Sequence, residues 1–408
     1  MTSSSPESFL PLKPIQIGIL DEAEPLKAVA TWGAIGAEAV LTQCYPVHIS
    51  LFHQSFDVVA ARLEGLNYAA TLQDHGIRVL MVRDLLADAL TPKTSFKKEG
   101  VISAMLKKAK AVQDQYNTRV QDSNDLIATL VEQDITRYGE EKALSLNQAL
   151  SIDPQLPLGN SLYGRDHMNV LLDARVVSRM AKDIRRHEVG LYELIYQQHL
   201  ARHKTITIPS DETFEGGDAY IHNGTVFVGV GTRTTLGAAV SIYQDLKPQL
   251  EQYGLKFAIV EDDNPFGRSF GEQQESMHLD TFSNPISRKE IAVCVEEAQR
   301  RKIRFLNTVN GTTAISNGLG SFIDYLEKTE DNIAVISEEE QKGFGCNFLL
   351  KGENPDGDCT IFVPLRMNTE TNNQLERMGK KLVYTNLLES TKGYGATHCM
   401  TGQLLREV

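Results

Sequence analysis

The hydrophobic pattern at the start of the chain alternates between short apolar runs and helical spacing. Residues 15–32 predict two strands on either side of an acidic turn at 21–24. Apolar residues then recur at helical spacing over 56–75, and Gly76 follows directly. A short buried strand is predicted at 77–82. This succession of strand, helix and strand is typical of an α/β fold.

The segment from 93 to 149 departs from that pattern. It is rich in Lys, Gln, Ala, Glu and Leu, and it has no glycine between Gly100 and Gly139. We interpret it as a helical insertion, after which Pro154 and Pro157 mark the return of the first pattern. The predicted organisation is a flexible tail at 1–14, a catalytic α/β domain at 15–92 and 150–408, and the insertion at 93–149.

Strands and helices alternate again in the second half of the chain. Asn223 and Gly224 form the turn signal of a β-hairpin between the apolar runs 219–221 and 225–229. A strand pair, a helix and a further strand then recur, which indicates a pseudo-symmetric α/β fold whose polar loops meet at one centre. The pattern predicts helices at 185–202, 234–253, 287–301 and 371–378, and strands at 205–208, 256–260, 303–306, 347–350, 359–363 and 381–384, with a turn at 354–357.

Composition narrows the class of protein. The chain has 408 residues, of which 41% are hydrophobic, enough for one large domain. A net charge of −12 argues against a nucleic-acid or anionic-membrane partner, since both favour a basic face. The start of the chain lacks the pattern of a signal peptide, and no run approaches the ~18 apolar residues that a membrane helix needs. We therefore expect a soluble, cytoplasmic protein.

One cysteine stands out from the other four. The five cysteines are scattered and include no CxxC pair, so the sequence indicates neither a zinc site nor a disulfide framework. Most single cysteines are buried and inert. Cys399, however, lies in the glycine-bearing segment 393–401, where a ligand can approach the backbone closely.

Three polar runs supply further candidate chemistry. Phe214-Glu215-Gly216-Gly217-Asp218 is a solvated glycine turn or a tight bend that directs both carboxylates inward. In the run 277–280, His278 and Asp280 face the same side of an extended segment, and the carboxylate can set the tautomer and pKa of the imidazole. The third run is 160–166. A thiol, a histidine and several carboxylates suit attack on a cationic, nitrogen-rich carbon.

Taken together, these runs resemble the arginine deiminases. The similarity includes 214–218 followed by Gly-Thr-Arg-Thr-Thr at 231–235, Met-His-Leu-Asp-Thr at 277–281, Arg-Met-Asn-Thr at 366–369, and His-Cys-Met-Thr at 398–401 with the ending 404–407. It extends over nearly the whole chain from about residue 15. The arginine deiminases are guanidino-group modifying enzymes with the pentein fold. The resemblance therefore implies an α/β propeller of five pseudo-symmetric ββαβ-type units.

The resemblance also implies a reaction, from L-arginine and water to L-citrulline and ammonia. Cys399 matches the nucleophile, which attacks the guanidinium carbon to form a covalent S-alkylthiouronium. A bound cation makes this chemically sensible because it lowers the pKa of the thiol from ~8.5. His278 matches the general acid and later the general base. Asp166 and Asp280 match the carboxylates that hold the guanidinium, and Glu215 matches a residue that contacts substrate or orients the histidine.

The implied substrate site favours a free amino acid over a peptide-bound arginine. Asn160, Arg185 and Arg233 match residues that hold the α-carboxylate, and Asp218 belongs to the same binding set. Tyr163 stands where an aromatic ring packs against the guanidinium plane. The family resemblance implies no metal and no organic cofactor. A homo-oligomer is left open.

Several positions depart from the family pattern and keep alternatives open. They surround the implied pocket mouth, so recognition of the substrate is less firmly indicated than the reaction class. The alternatives are an amidinotransferase, a deiminase of another guanidino compound, and a binding protein without catalysis. The departures are Gly164, His167, Tyr394, the residues 395–397 that carry fewer glycines than usual, and Gly402-Gln403.

Overall fold

The computed structural model describes residues 14–90, 96–153, 156–316, 318, 320–353, 358–365 and 369–407. Most of the predicted tail, Pro154, the turn at 354–357 and residues 366–368 of the family-like run lie outside these ranges.

The described strands form five sheets. Every one of these sheets contains at least one strand that has an antiparallel neighbour on one side and a parallel neighbour on the other. The fold is therefore mixed α/β. The sheets contain, in turn, β1 (Leu26–Thr31), β2 (Arg78–Met81) and β17 (Gly402–Arg406); β3 (Met168–Leu171), β4 (Ala174–Val177) and β5 (Lys204–Thr207); β6 (Ala219–His222), β7 (Thr225–Val230), β8 (Lys256–Asp262), β11 (Arg301–Val309) and β12 (Thr312–Ile315); β9 (Ser283–Ser287), β10 (Glu290–Cys294) and β13 (Asn332–Ile336); and β14 (Leu349–Glu353), β15 (Cys359–Pro364) and β16 (Lys381–Thr385).

The helices lie between these strands in the chain. The three helices that lie between residues 98 and 147 occupy most of the segment 93–149, which the sequence predicts to be an insertion. The boundaries of that insertion stay a prediction. The α-helices are α1 (Ala37–Gln43), α2 (Val47–Ser50), α3 (Val58–Asp74), α4 (Val82–Ala89), α5 (Lys98–Tyr116), α6 (Ser123–Tyr138), α7 (Glu140–Asn147), α8 (Glu188–His199), α9 (Leu236–Tyr253), α10 (Phe270–Glu275), α11 (Val295–Gln299), α12 (Phe322–Thr329), α13 (Glu338–Lys342) and α14 (Thr369–Arg377).

The predicted hairpin is confirmed. β6 and β7 pair antiparallel with His222 opposite Thr225. Asn223 and Gly224 both have positive φ, at 47° and 72°, which is the conformation that a two-residue hairpin turn requires of both positions.

The predicted helix at 287–301 is wrong. This segment contains the end of β9, all of β10 and the five-residue α11. Ile291, Ala292 and Val293 are fully buried because β10 pairs in parallel with β13, about forty residues later. A tertiary pairing of this kind overrides local propensity.

The predicted strand before the 21–24 turn is also incorrect, since Ile15, Gly18 and Ile19 make only isolated bridges.

A buried ion network ties α6 to the rest of the fold. Asp134 of α6 contacts Arg83 at 2.7 Å and Arg62 at 2.8 Å, and Arg83 also contacts Glu38 at 3.0 Å. These side chains are almost fully buried, and two cations balance two anions. The network fixes α6 against α1, α3 and α4.

Throughout the described ranges, no helix is both long and apolar enough to span a bilayer.

Candidate active site

Cys399 lies in a tight segment just before β17. Its side chain is buried, and its sulfur lies 3.0 Å from Asn347 Nδ2 and 3.8 Å from Asp280 Oδ2. The backbone amides of Cys399 and Ala396 both donate to Asn347 Oδ1, at 3.1 and 2.9 Å. A single amide side chain therefore holds both the thiol and the backbone turn that carries it.

Asp280 lies beside this thiol. It lies in a short 3₁₀ turn, and its Oδ2 is 2.7 Å from His398 Nδ1. Its other carboxylate oxygen is buried without a hydrogen-bond donor among the described residues. A buried acceptor in this state is unusual and is suited to receive a donor from a ligand.

His278 connects to a second group of carboxylates. Its Nε2 lies 3.0 Å from Glu215 Oε2, and its Nδ1 lies 3.5 Å from Asp166 Oδ1. Burial disfavours the charged imidazolium, but Asp166 and Glu215 outweigh that effect and raise the pKa of His278 to about 9. The imidazole therefore carries a proton at neutral pH, as a general acid must.

The pKa values of Glu215 and Asp218 shift in opposite directions although the two residues belong to one run. Burial favours the neutral acid for both. The Arg233 guanidinium and His278 reverse this effect for Glu215 and hold its pKa well below the usual range. For Asp218, burial dominates and raises the pKa to about 7, while its Oδ1 accepts the Leu279 amide at 3.1 Å.

Gly217 makes this arrangement sterically possible. A Cβ atom at that position would lie 2.7 Å from His278 Nδ1 and 3.0 Å from Asp166 Oδ1. The bend in the 214–218 run therefore brings the backbone against the imidazole. Of the two interpretations of this run, the structure has the tight bend, which directs both carboxylates inward.

The residues matched to carboxylate binding lie in the same cluster. Arg185 Nη1 contacts Asp166 Oδ2 at 2.7 Å, and Arg185 Nη2 donates to the carbonyl of Asn160 at 3.3 Å. Arg233 Nη1 lies 3.4 Å from both oxygens of Glu215. Both guanidinium groups are thus held by site carboxylates rather than exposed on a solvated helix face.

Tyr163 lies against the segment that carries the thiol. Its hydroxyl donates to the Ser390 carbonyl at 2.8 Å. A Cβ on Gly395 would lie 2.5 Å from Tyr163 Cε1 and 2.9 Å from Cys399 Cβ. The Tyr163 ring and the Cys399 side chain therefore both pack closely against Gly395.

The charges around Cys399 oppose its ionisation. Burial, followed by the Asp280 and Asp166 carboxylates, raises the pKa of the thiol well above its ordinary value, and the hydrogen bond from Asn347 partly counteracts them. A cation placed between the thiol and these carboxylates would reverse the balance. The arrangement is suited to a cationic ligand.

The structure brings all ten predicted site residues into one buried region. The turn that carries Asp166 is joined to the segment that carries Cys399, because the Arg165 amide donates to the Cys399 carbonyl at 2.9 Å. Sequence reasoning missed Asn347, which it placed in a strand, and Glu188, which it placed in a solvated helix face. Neither residue lies in a motif that marks it.

Metal binding at this centre is electrostatically disfavoured. Ligand atoms of Asp166, Glu215 and His278 lie within 4.8 Å of one another, a spacing that fits a metal ion. However, Arg185 and Arg233 already contact two of these carboxylates, and the pKa of about 9 keeps His278 protonated, whereas a metal ion requires a neutral imidazole ligand.

Comparison with known proteins agrees with this chemistry. A model of the arginine deiminase family matches residues 50–406. The chain belongs to this family. Membership makes it a hydrolase of carbon–nitrogen bonds that takes a small guanidino compound.

Relatives in this family are distant. An arginine deiminase of Borrelia recurrentis is 25% identical over 378 residues, which cover 84% of this chain and 86% of that protein. One from Listeria monocytogenes is 25% identical over 376 residues, covering 83% and 86%.

Solved structures with less sequence similarity share the fold. The DDAH of Pseudomonas aeruginosa, solved with citrulline, matches with a TM-score of 0.54 at 13% identity, over 93% of this chain and 100% of that one. An amidinotransferase of the saxitoxin biosynthetic pathway from Microseira wollei matches with a TM-score of 0.53 at 14% identity, over 97% and 98%. Both have the pentein fold.

Proposed function

We propose that this protein hydrolyses L-arginine to L-citrulline and ammonia through a covalent intermediate on Cys399. The observation that carries the proposal is the set of buried carboxylate oxygens around the thiol. Asp280 Oδ1 and Asp166 Oδ1 are buried without a hydrogen-bond donor in the described structure. A planar guanidinium offers paired N–H donors to these two oxygens, and its positive charge favours the thiolate form of Cys399.

In the first half of the reaction, the cationic substrate lies between Cys399 and the two aspartates. Its charge lowers the pKa of the thiol, which burial and the aspartates otherwise raise, and the thiol proton is released on binding. The thiolate attacks the guanidinium carbon. The tetrahedral adduct collapses as the carbon–nitrogen bond breaks, and His278 protonates the departing ammonia.

In the second half, His278 is neutral and accepts a proton from water. The hydroxide attacks the S-alkylthiouronium carbon. The adduct then loses its hydroxyl proton to solvent as the carbon–sulfur bond breaks, which releases citrulline and the thiolate. Glu215 holds the imidazole through its contact at 3.0 Å. One water is consumed and one ammonia is formed for each arginine.

The rest of the substrate is assigned to the remaining site residues. Arg185, Arg233 and Asn160 hold the α-carboxylate, Asp218 contributes to the same binding set, and Tyr163 packs against the guanidinium plane. The buried position of both arginines supports recognition of a free amino acid.

Tyr394 motivates the competing substrate class. It has a positive φ of 68° and lines a cleft of about 310 Å³ in which its ring lies 4.9 Å from that of His53. Because Tyr394 is one of the positions that depart from the family pattern, the competing substrate is another guanidino compound. A panel of such compounds is the natural extension of the test below.

We also propose that the five sheets are the blades of a five-fold pseudo-symmetric propeller. The repeated combination of an antiparallel pair with a parallel strand supports it. In this arrangement the loops that carry Asp166, Glu215, Asp280 and Cys399 converge on the propeller axis.

The test is a product analysis with purified protein and L-arginine, using mass spectrometry for citrulline and ornithine and an assay for ammonia. Citrulline and ammonia in equal amounts are expected. Cys399→Ala removes turnover, whereas Cys44→Ala, which changes another buried cysteine, retains it. His278→Ala traps or prevents the adduct, which the intact mass of the protein reports.

Other outcomes would contradict the proposal in distinct ways. Ornithine without ammonia indicates amidino transfer or urea-forming hydrolysis. Turnover that survives in Cys399→Ala excludes the covalent mechanism. Absence of turnover with arginine but turnover of another guanidino compound moves the proposal to that substrate.

A further inference from the structure

A closed ring of four buried side chains lies behind the substrate site. Arg185 contacts Asp166 Oδ2 at 2.7 Å through Nη1 and Glu188 Oε2 at 3.0 Å through Nε. The same Glu188 oxygen lies 2.9 Å from His167 Nε2. His167 follows Asp166 in the chain, so their peptide bond closes the ring.

His167 is held firmly in this ring. Its side chain is fully buried, and its ring stacks on Tyr192 with centroids 4.2 Å apart and planes inclined by 9°. Its carbonyl accepts the Ser178 amide at 3.2 Å. The same Glu188 oxygen accepts the Arg185 Nε–H, so we assign His167 Nε2 as a second donor to this oxygen.

We propose that His167 is a positioning residue for substrate binding: through Glu188 it fixes the orientation of the Arg185 guanidinium. The inference rests on the proposed function, because it assigns the substrate carboxylate to Arg185. His167 does not touch the reacting atoms. It is one of the positions at which this chain departs from the family pattern.

The physical argument concerns the shared oxygen of Glu188. That oxygen accepts from both His167 and Arg185, so the two donors together fix the rotation of the carboxylate. Without the imidazole donor, only Arg185 holds Glu188. The guanidinium keeps its contacts with Asp166 and the Asn160 carbonyl, but its Nε then faces a carboxylate whose rotation is no longer fixed. The guanidinium then spends less time in the orientation that receives a carboxylate, which weakens ground-state binding more than it slows chemistry.

The experiment compares two substitutions at one position. His167→Phe keeps a ring that can stack on Tyr192 but removes the donor. His167→Gln restores an N–H near the position of Nε2 but removes the ring. His222→Phe is the structural control, since buried His222 lies 2.9 Å from Glu330 Oε2 in the same kind of pair outside the ring.

We expect His167→Phe to raise KM for L-arginine about tenfold, a change typical of one lost hydrogen bond to a charged group. The kcat should stay within about threefold, because the reacting groups are retained. His167→Gln should return KM to within about threefold of the parent value. His222→Phe should lower the melting temperature without this rise in KM.

A second readout does not depend on turnover. The Arg185 Nε–H donates to Glu188, so its ¹⁵N–¹H signal, assigned by its loss in Arg185→Lys, should shift in His167→Phe and return in His167→Gln. If L-arginine is not consumed by the parent protein, the proposed function fails while this signal still decides the inference.

The inference is overturned if KM and the Arg185 signal are unchanged in a folded His167→Phe protein. It is also overturned if the Phe and Gln variants change equally, because the donor then has no role. Should His167→Phe fail to fold, Glu188→Gln replaces it, and an unchanged KM in that variant refutes the proposal.

Discussion

The side-chain amide of Asn347 holds Cys399 from two directions, with its nitrogen 3.0 Å from the sulfur and its oxygen accepting the Cys399 amide at 3.1 Å. The two residues are 52 positions apart in the chain. The amide nitrogen is a donor directed at the atom proposed to become a thiolate. Its hydrogen bond lowers the pKa of the thiol, in opposition to the stronger effects of burial and of the Asp280 and Asp166 carboxylates.

Replacement of Asn347 should therefore lower the reactivity of the Cys399 thiol. We expect Asn347→Ala to reduce kcat/KM about 10- to 100-fold, the cost of one hydrogen bond to a charged group. Asn347→Asp should be slower still, since a carboxylate repels the thiolate and cannot donate. Both variants should slow alkylation of Cys399 by iodoacetamide, measured by peptide mass spectrometry. Alkylation at the parent rate would show that the contact does not tune the thiol.

The protonation of His278 gives a second prediction. Its pKa of about 9 arises because Asp166 and Glu215 outweigh the effect of burial. NMR titration of the imidazole should show a doubly protonated ring at pH 7.5 in the free protein. Asp166→Asn removes the largest of the raising effects and should lower the pKa of His278. A ring that is already neutral at pH 7.5 in the parent would contradict the assignment of His278 as the general acid.

The same shift links stability to pH. The folded-state pKa of His278, about 9, lies above the unfolded value of 6.5. The contribution of protonated His278 to the free energy of unfolding is therefore complete below about pH 6.5 and is lost as pH rises through 9. The shift corresponds to a free energy on the order of 3 kcal/mol. Urea unfolding at pH 6.5 and pH 9.5 should show a smaller pH-dependent loss in His278→Gln than in the parent. Equal losses would refute the linkage.

The close approach of Gly217 to His278 predicts a catalytic effect without a change of charge. In Gly217→Ala the new methyl group would lie 2.7 Å from His278 Nδ1, so the imidazole must move. We expect kcat to fall about 100-fold, as a displacement of about 1 Å in a catalytic group produces. Gly190→Ala is the matched control. Nothing lies within 4 Å of its added Cβ, and the change within α8 should stabilise the protein by about 0.5–1 kcal/mol. An equal kcat in both variants would rule out the steric argument.

Local signals explain which elements the sequence could predict. The hairpin at β6 and β7 was predictable because Asn223 and Gly224 are suited to positive φ at both turn positions. β10 was not, because its buried face is completed by β13, which no local window includes. The residues 291–295 form a short continuous apolar run, and periodicity alone cannot distinguish such a run from a segment of a buried helix.

The site shows the same division. Residues in recognisable runs, such as Glu215, His278 and Cys399, could be named as candidates from the sequence because these runs carry the resemblance to the arginine deiminases. Asn347 and Glu188 could not, since their importance arises from contacts that only the folded chain creates. The likeness to a family likewise indicated that Arg185 belongs to the site, but not that Asp166 and Glu188 both hold it.

The buried network around Asp134 predicts how α6 is held to the fold. Asp134→Ala leaves Arg83 and Arg62 buried without this partner, and breaking a buried pair in this way costs about 3–5 kcal/mol. Asp84→Ala is the matched control, because Asp84 of α4 pairs with Arg137 of α6 at a partly exposed position. Such pairs contribute about 0–1 kcal/mol. Urea unfolding measures both free energies, and KM for the substrate should be unchanged in each. If Asp134→Ala costs no more than Asp84→Ala, apolar packing alone holds α6, and the ion network adds no stability.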